Sequence, residues 1–442
     1  ASWKKSTPFL ALDMVLPAKR LEFLLQETPV SQVVGIGSKP DWVADELRWI
    51  DITKLPREAE PKFFTVQSES IHLQQLAYAI FTSGSTGKPK CVGVSQGSLA
   101  GYVQNLFPSL KLSDRARLLS LGSAAADLGH TSLFGALLTG RTFVVISDEL
   151  SKDPIQLSSH LSNLRVDGLK IVPSHLKALL DVSPTKELLP RQCLLLGGES
   201  LSQSLVQQVH ALDPLCRVFN HYGPTEATIG CIFGAVAKAL PGISATLPLG
   251  KAIPGYQVFV LDKDLKQVPV GCNGELFIGG PMVAQSYLGD PIRTATSFIP
   301  NPYDTGSRLY RTGDQVRLHQ GGSFEFIGRI DHQVKVRGYR IEIGEVEAWL
   351  KNRIPQGDIA VIAETHNTGT QLYAFFSGKN INLTELRQSM QAEMPDYMVP
   401  KHFTHQESFP RLASGKIDRN KLKGRIAVSN ENVIKNGPLA EI

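Results

Sequence analysis

No apolar run in the 442-residue chain approaches the ~20 residues that a bilayer-crossing helix needs. The opening Ala1-Ser2-Trp3-Lys4-Lys5 does not have the form of a signal peptide. Cysteine is scarce too. The five residues Cys91, Cys193, Cys216, Cys231 and Cys272 are scattered, odd in number and never in a CxxC pair. That pattern speaks against a disulfide framework or a zinc site and fits a reducing cytoplasm. No Lys/Arg block underlies the net charge of +5, so charge alone implies neither nucleic-acid nor membrane binding, although a mild basic excess suits anionic substrates. Internal repeats and low-complexity stretches are also missing.

What is present is ordinary globular composition, 42% hydrophobic and 20% charged, over a length that suits one large domain and one or two smaller ones. From about Leu76 to Glu226, short apolar runs alternate with helical stretches, the pattern of a parallel sheet covered by helices. The runs Leu76 to Phe81, Thr142 to Ile146, Leu169 to Val172 and Cys193 to Leu196 read as buried strands. Asp153 before Pro154 reads as a helix N-cap, and Gly140 after Leu133 to Leu138 as a helix end. Beyond Pro254 the strands shorten (Val258 to Leu261, Glu275 to Ile278) and the turns become glycine-rich, which implies a β-rich subdomain. After Asp331 the pattern changes again: a strand over Gln333 to Arg337, a helix over Gly344 to Leu350, strands over Ile359 to Ala363 and Leu372 to Phe376, then a helix opening at Asn382 with Glu385 three residues on. The expected fold class is therefore α/β. A large N-terminal domain (1–330) has βα-layered sheets and a β-rich subdomain, a small α+β domain follows (331–424), and 425–442 form a linker or tail.

Several segments carry chemistry. Phe81-Thr82-Ser83-Gly84-Ser85-Thr86-Gly87-Lys88-Pro89-Lys90 gathers hydroxyls, glycines and lysines between two apolar runs, and such a loop can offer N–H, O–H and ammonium groups to a polyphosphate. It does not match GxxxxGK[ST], and by composition it also reads as a plain hairpin turn. Asn220-His221-Tyr222-Gly223-Pro224-Thr225-Glu226 sets an aromatic ring, a hydroxyl and a carboxylate around one turn, where a base, a phosphate and a magnesium ion could each find a partner. Asp314 in Tyr310-Arg311-Thr312-Gly313-Asp314 could accept ribose hydroxyls. Lys170, inside Gly168-Leu169-Lys170-Ile171-Val172, would be buried on a central parallel strand and would need an anion; on an edge strand it would be solvated. Asp127 opens an apolar helix, where a simple N-cap is the local reading.

Taken in order, these segments resemble the adenylation domains of nonribosomal peptide synthetases, within the adenylate-forming superfamily that also holds acyl-CoA synthetases. The matches run from Leu76-Ala77-Tyr78 and the TSGSTGKPK loop through NHYGPTE, Gly274-Glu275-Leu276, YRTGD, Gly328-Arg329-Ile330-Asp331 and Gln333-Val334-Lys335-Val336-Arg337-Gly338, to Met394-Pro395-Asp396-Tyr397-Met398-Val399-Pro400 and Ser414-Gly415-Lys416-Ile417-Asp418-Arg419. Cys91 and Gln285-Ser286-Tyr287 depart from the family pattern. The resemblance places Leu12-Asp13 through Leu21 well inside the family's large domain, so an N-terminal portion is expected to be missing. It also implies that ATP and Mg2+ are used. Thr82, Ser83, Gly84, Ser85, Thr86, Gly87 and Lys90 would cradle phosphates, with Gly198, Asn220, Tyr222 and Gly223 around the nucleotide and Asn220 and Tyr222 facing adenine. Asp314 and Arg329 would hold ribose, and Glu226 the metal. Thr225, Glu226 and Lys416 would be catalytic, with Lys416 the mobile lysine that bridges substrate carboxylate and reacting phosphate. Asp331 would be the hinge of a mobile small domain, and Gly338 would face a second half-reaction with the phosphopantetheine thiol of a peptidyl carrier protein. A neighbouring condensation domain is expected as well.

Aligned on Phe134-Gly135-Ala136-Leu137-Leu138, Asp127 falls where the family pairs an aspartate with the substrate α-ammonium. The rest of the pocket would be Leu128, Thr131, Lys170, Leu195, Gly197, His221, Ile229 and Gly230. A buried Lys170 with His221 suits an acidic side chain, and the combination resembles the family's aspartate-type pattern. Aspartate leads, with asparagine or a β-modified aspartate next; an acyl- or aryl-CoA ligase and a non-catalytic nucleotide-binding module are the rival readings.

Overall fold

The computed structural model describes residues 3, 7–55, 72–84, 88–237, 247–331, 333–366, 369–378, 381–412 and 414–426. Most of the alternation after Leu76 becomes one seven-stranded sheet. Its strands Arg217–Tyr222, Cys193–Gly197, Gly168–Ile171, Arg117–Ser120 and Thr142–Val144 lie side by side in that order and run parallel. Ile232–Ala235 and Lys251–Ala252 extend it antiparallel beyond Arg217–Tyr222. Because strand side chains alternate between faces, Leu119, Leu169, Ile171, Leu194 and Val218 pack with Leu157, Leu176 and Leu205 of the helices Pro154–Leu164, Pro173–Val182 and Gln203–Leu212. Leu118, Leu195 and Phe219 join the other core with Tyr102, Leu106 and Phe134 of the helices Gln96–Leu110 and His130–Leu138. With both faces covered, every residue of Gly168–Ile171 is buried, as a central parallel strand requires.

Two strand readings need correction. The run from Leu76 does not join this sheet. Strand Leu76–Thr82 pairs antiparallel with Lys90–Ser95, between Phe9–Leu10 and Ser286–Tyr287. The connection 83–89 is too short for a parallel crossover, which takes a dozen or more residues. The Thr142 run is a strand but not a buried one: it ends at Val144 on the sheet edge, with Val145 78% exposed.

The β-rich reading holds. Gln257–Leu261, Asn273–Gly279, Arg308–Leu318 and Phe298–Pro300 form a sheet in which Phe324–Arg329 also pairs with Arg308–Leu318. After Asp331 come the hairpin Gln333–Val336/Tyr339–Glu342, helix Ile343–Arg353, the sheet Ile359–His366, Gly369–Phe376 and His402–His405, and helix Leu383–Glu393. Asn382 caps this last helix by accepting from the N–H groups of Thr384 and Glu385. The tail reading is corrected at its start. Residues 419–426 are helical, with Leu422 and Ile426 buried against Phe375 and Phe409, so packing continues past Gly424; the rest of the expected linker lies outside the described residues.

Helix Pro154–Leu164 begins as its sequence requires. The Asp153 side chain accepts from the N–H groups of Ile155 and Gln156, 3.0 Å each, and proline takes the first helical position. Asp153→Ala is expected to lower unfolding free energy by about 1 kcal/mol in chemical denaturation.

Candidate active site

The carboxyl ends of the parallel strands open into one pocket, where open α/β sheets place their ligands. Lys170, Gly198, His221 and Tyr222 form its floor. Thr82, Ser83, Asp127, Leu128, Gly223, Thr225, Ile229, Asp314 and Arg329 form its walls. The hairpin after Asp331 closes it from the opposite side with Lys335, Gly338, Tyr339 and Arg340.

At the deep end, Lys170 is 1% exposed. Leu169 and Ile171 point into one core, so strand alternation turns Lys170 to the face of the pocket. Its Nζ lies 2.8 Å from His221 Nδ1, and His221 Nε2 is 3.2 Å from the Tyr102 hydroxyl, itself 2.8 Å from Thr131 Oγ1. Burial lowers the Lys170 pKa to about 7 against the pull of Asp127. Burial, and then the charge of Lys170, holds His221 well below the usual imidazole range. Asp127 is not an N-cap: Ala126 precedes the short helix Asp127–Gly129, and no side-chain cap bond forms. Its Oδ2 is buried without a hydrogen-bond partner, and burial raises its pKa to about 6 despite a hydrogen bond from Thr225. A buried carboxylate oxygen with no donor, facing a pocket, is a place for a cationic group of a ligand.

Of the other substrate-pocket expectations, Leu128 and Ile229 are wall residues. Leu195 lies in the core beneath, and Thr131 faces Tyr102 rather than the pocket. Gly197 and Gly230 make room. A Cβ on Gly197 would fall 2.5 Å from Lys170 Nζ, and one on Gly230 would fall 2.1 Å from His221 Nε2.

At the nucleotide end, Asp314 accepts from the hydroxyl of Tyr222 and, at 2.6 Å, from Arg329 Nη1. Arg329 also grips both oxygens of Asp331, at 2.6 and 2.7 Å, which ties the expected hinge to the expected ribose site. Lys335 Nζ sits 5.7 Å from the Tyr222 ring centroid, within cation–π range. Asn220 does not face this space. It is buried and not among the pocket-lining residues, and its amide donates to Pro248 O at 2.8 Å.

At the phosphate end, the hairpin engages the very groups expected to meet phosphate and metal. Ser83 Oγ donates to Arg340 O at 2.7 Å and accepts from the Glu342 N–H at 3.1 Å, and Gly84 N–H donates to Glu345 at 3.2 Å. Lys90 pairs with Glu342 at 2.9 Å. Glu226 is fully buried, pairs with Arg340 at 3.0 Å and accepts from the Tyr287 hydroxyl at 2.6 Å. Burial would push its carboxyl up, but Arg340 and Lys90 hold it well below the usual range, so it stays anionic. No group of three or more His, Cys, Asp or Glu side chains gathers to hold a metal among the described residues. A lone ionised carboxylate fits a magnesium ion that keeps most of its shell as waters and substrate phosphates; in this structure Arg340 holds that carboxylate. Ser85, Thr86 and Gly87 lie outside the described residues. Lys416 is exposed, on a turn after His402–His405, and is not among the pocket residues.

Lys335, Arg340 and Tyr287 therefore join the site without having been singled out by sequence. Lys335 and Arg340 flank the turn at Arg337 and Gly338, whose φ values are 52° and 83°, and only the docking of that turn reveals that both charges point inward. Tyr287 belongs to the Gln285-Ser286-Tyr287 departure, which keeps the hydroxyl that Glu226 uses.

A family model described as AMP-binding enzyme matches residues 1–288. The dimodular nonribosomal peptide synthase of Bacillus subtilis (strain 168) is 35% identical over 426 residues, covering 95% of this chain and 18% of that protein. Bacitracin synthase 1 of Bacillus licheniformis is 32% identical over 438 residues, 98% of this chain and 8% of its own length. The chain thus spans less than a fifth of either relative. Holo-PA1221, an NRPS protein containing adenylation and PCP domains and solved with a vinylsulfonamide inhibitor, superposes with a TM-score of 0.79 at 27% identity, over 95% of this chain and 71% of that one. The Vibrio cholerae adenylation domain AlmE, solved with glycyl-adenosine-5'-phosphate, shares the fold at a TM-score of 0.82 and 21% identity, over 97% of this chain and 85% of that one.

Proposed function

The chain belongs to the AMP-binding enzyme family, and from that premise we propose that it activates an α-amino acid, L-aspartate first, as the aminoacyl-adenylate for nonribosomal peptide synthesis. The observation that carries the substrate is the pairing of a partnerless buried Asp127 oxygen with a buried Lys170 across one pocket. The first suits an α-ammonium and the second a side-chain carboxylate. The substrate carboxylate attacks the α-phosphorus of ATP, the bond to pyrophosphate breaks, and the adenylate remains. Thr82 and Ser83 bind phosphate oxygens, Asp314 and Arg329 hold the ribose, and Lys416 is carried in to neutralise charge on the reacting carboxylate and phosphate. Glu226 would hold Mg2+, which supplies charge neutralisation at the leaving phosphates.

In the second half-reaction the thiol of a carrier-bound phosphopantetheine attacks the acyl carbon, the thioester forms and AMP leaves. The carrier and any condensation domain would come from other segments or other proteins. In this reading residues 331–424 and the helix that continues them turn about Asp331. No described helix is long and apolar enough to cross a membrane. The free cysteines, scattered and without disulfide partners, support placing the enzyme in a reducing cytoplasm.

Amino-acid-dependent ATP–pyrophosphate exchange, run with magnesium across the proteinogenic amino acids, tests the reading. Aspartate-selective exchange is the expected result. Asparagine selectivity would keep the enzyme class and remove the acidic pocket, and folded protein without exchange for any amino acid would sink the class.

The pocket also predicts a pH dependence. Lys170 loses its proton above about pH 7 and Asp127 gains one below about pH 6, and aspartate needs both in their charged forms. The KM for aspartate, measured at saturating ATP, is therefore lowest between those values and rises up to about tenfold for each unit of pH above 7. Asparagine, which does not need a charged Lys170, lacks the alkaline rise. A flat aspartate profile would contradict the assignment.

A further inference from the structure

Beyond the residues that touch the pocket, Tyr102 is wholly buried, and its hydroxyl stands between His221 Nε2, 3.2 Å away, and Thr131 Oγ1, 2.8 Å away. His221 in turn meets Lys170 through Nδ1 at 2.8 Å. All four side chains are at most 3% exposed, so each group must be satisfied by its neighbours and not by bulk water. Two opposite orders of donation do that. With Lys170 as ammonium, Nζ donates to Nδ1, the imidazole proton sits on Nε2 and is donated to the Tyr102 oxygen, and Tyr102 donates to Thr131. With Lys170 neutral, every bond can reverse, an order that an ammonium without a lone pair forbids: Nδ1–H donates to the amine lone pair, Tyr102 donates to Nε2, and Thr131 donates to Tyr102. The phenol can serve both orders because it donates and accepts at a single atom.

We propose that Tyr102 is a positioning residue of the substrate pocket, whose hydroxyl sets the tautomer of His221 and thereby the charge that Lys170 presents to a side-chain carboxylate. The proposal deepens the aspartate reading, and only its substrate arm rests on that reading. The titratable groups around the relay are Asp127 and Lys335, which act in opposite senses on Lys170, and Asp127 and Cys231, whose buried thiol is neutral, beside Tyr102. Lys170 near neutrality is what lets a modest change in the relay alter its charge.

Tyr102→Phe strands the Nε2–H of His221 in an apolar wall. An orphaned buried N–H is poorly tolerated, so the imidazole moves to its Nδ1–H form, which needs a neutral Lys170. Thr131→Val leaves the tyrosine ring in place but removes its acceptor, so the phenol turns its proton to Nε2, and the shift has the same sense without loss of packing.

The experiment is NMR of isotope-labelled histidine in the substrate-free full chain, with the His221 signal identified by its loss in His221→Asn, combined with aspartate and asparagine kinetics. Below about pH 7 the unaltered chain should show the Nε2–H form, and both variants should show Nδ1–H. The aspartate KM should rise about tenfold, equivalent to one pKa unit, with little change in kcat, and the aspartate-to-asparagine preference should fall by the same factor. An identical His221 tautomer and pH midpoint in all three proteins would overturn the relay, as would variants whose tautomer shifts while KM stays put. Should the unaltered chain prefer a different amino acid, the aspartate reading falls, and the tautomer comparison alone decides the relay.

Discussion

Lys170→Met is expected to lower aspartate-dependent pyrophosphate exchange by roughly 10²–10⁴-fold, as follows from breaking a buried charge pair worth about 3–5 kcal/mol, while ATP binding stays nearly intact. The reason lies in what surrounds the side chain. Its neighbours are His221 at 2.8 Å and a strand of buried residues, and the other cation that acts on it, Lys335, belongs to the hairpin on the opposite side of the pocket. Methionine keeps the length and the packing without the charge. Burial lowers the Lys170 pKa from its unfolded value of about 10.4 to about 7. The folded state therefore holds this proton less tightly than the unfolded one, and the charged group opposes folding most strongly below about pH 7, an opposition that fades as pH rises towards the unfolded value. At neutral pH the variant should melt no lower than the parent. Calorimetry and exchange assays on the same sample separate the outcomes: lost exchange with a retained melting temperature supports the pocket, and equal aspartate activity would remove Lys170 from it.

The second large effect separates the two half-reactions. In this structure the hairpin 333–342 is seated on the site, and Lys416 is outside it. Gly338 makes the seat possible. Its φ of 83° suits glycine, and a Cβ there would lie 2.5 Å from Val172 Cγ1. Gly338→Val should keep the hairpin off the pocket, leaving exchange within about threefold but cutting transfer to a phosphopantetheine thiol by 10²-fold or more, about 2.7 kcal/mol or more. Lys416→Ala should do the opposite, losing about 10²–10³-fold in exchange, the usual loss for one charge-stabilising donor, yet still passing a preformed aminoacyl-adenylate to the thiol. Exchange and thioester formation assayed on both variants form a crossed design, and parallel loss in the two assays would show that one arrangement of the small unit serves both steps.

Much of this site was legible as residue types in order. Lys170 declared itself because a strand of Gly, Leu, Ile and Val has no reason to hold a lysine unless something anionic comes to it. Glu226, Asp314 and Arg329 followed from motif order, and the structure brings Asp314 and Arg329, with Tyr222, around one space, while Glu226 is buried against Arg340 and Tyr287. Asn220 was misread because motif order does not say which way a residue at a strand end turns, and here its amide is used by Pro248 O. The Leu76 run looked like another parallel strand because an apolar stretch carries no mark of its partner; loop length alone distinguished the two cases.

The sequence by itself determined the local grammar: the capped helices at Asp153 and Asn382, the buried strand with its anomalous lysine, and the ordered motifs that mark the family. These depend on periodicity, caps and composition within a few neighbouring residues. Only the tertiary structure decided that Arg340 meets Glu226, that Tyr287 shares that carboxylate, and that Tyr102 completes a chain to Lys170. Those contacts join residues far apart in the chain, and their energies arise because packing excludes water and leaves each polar group dependent on the partner that the fold happens to bring.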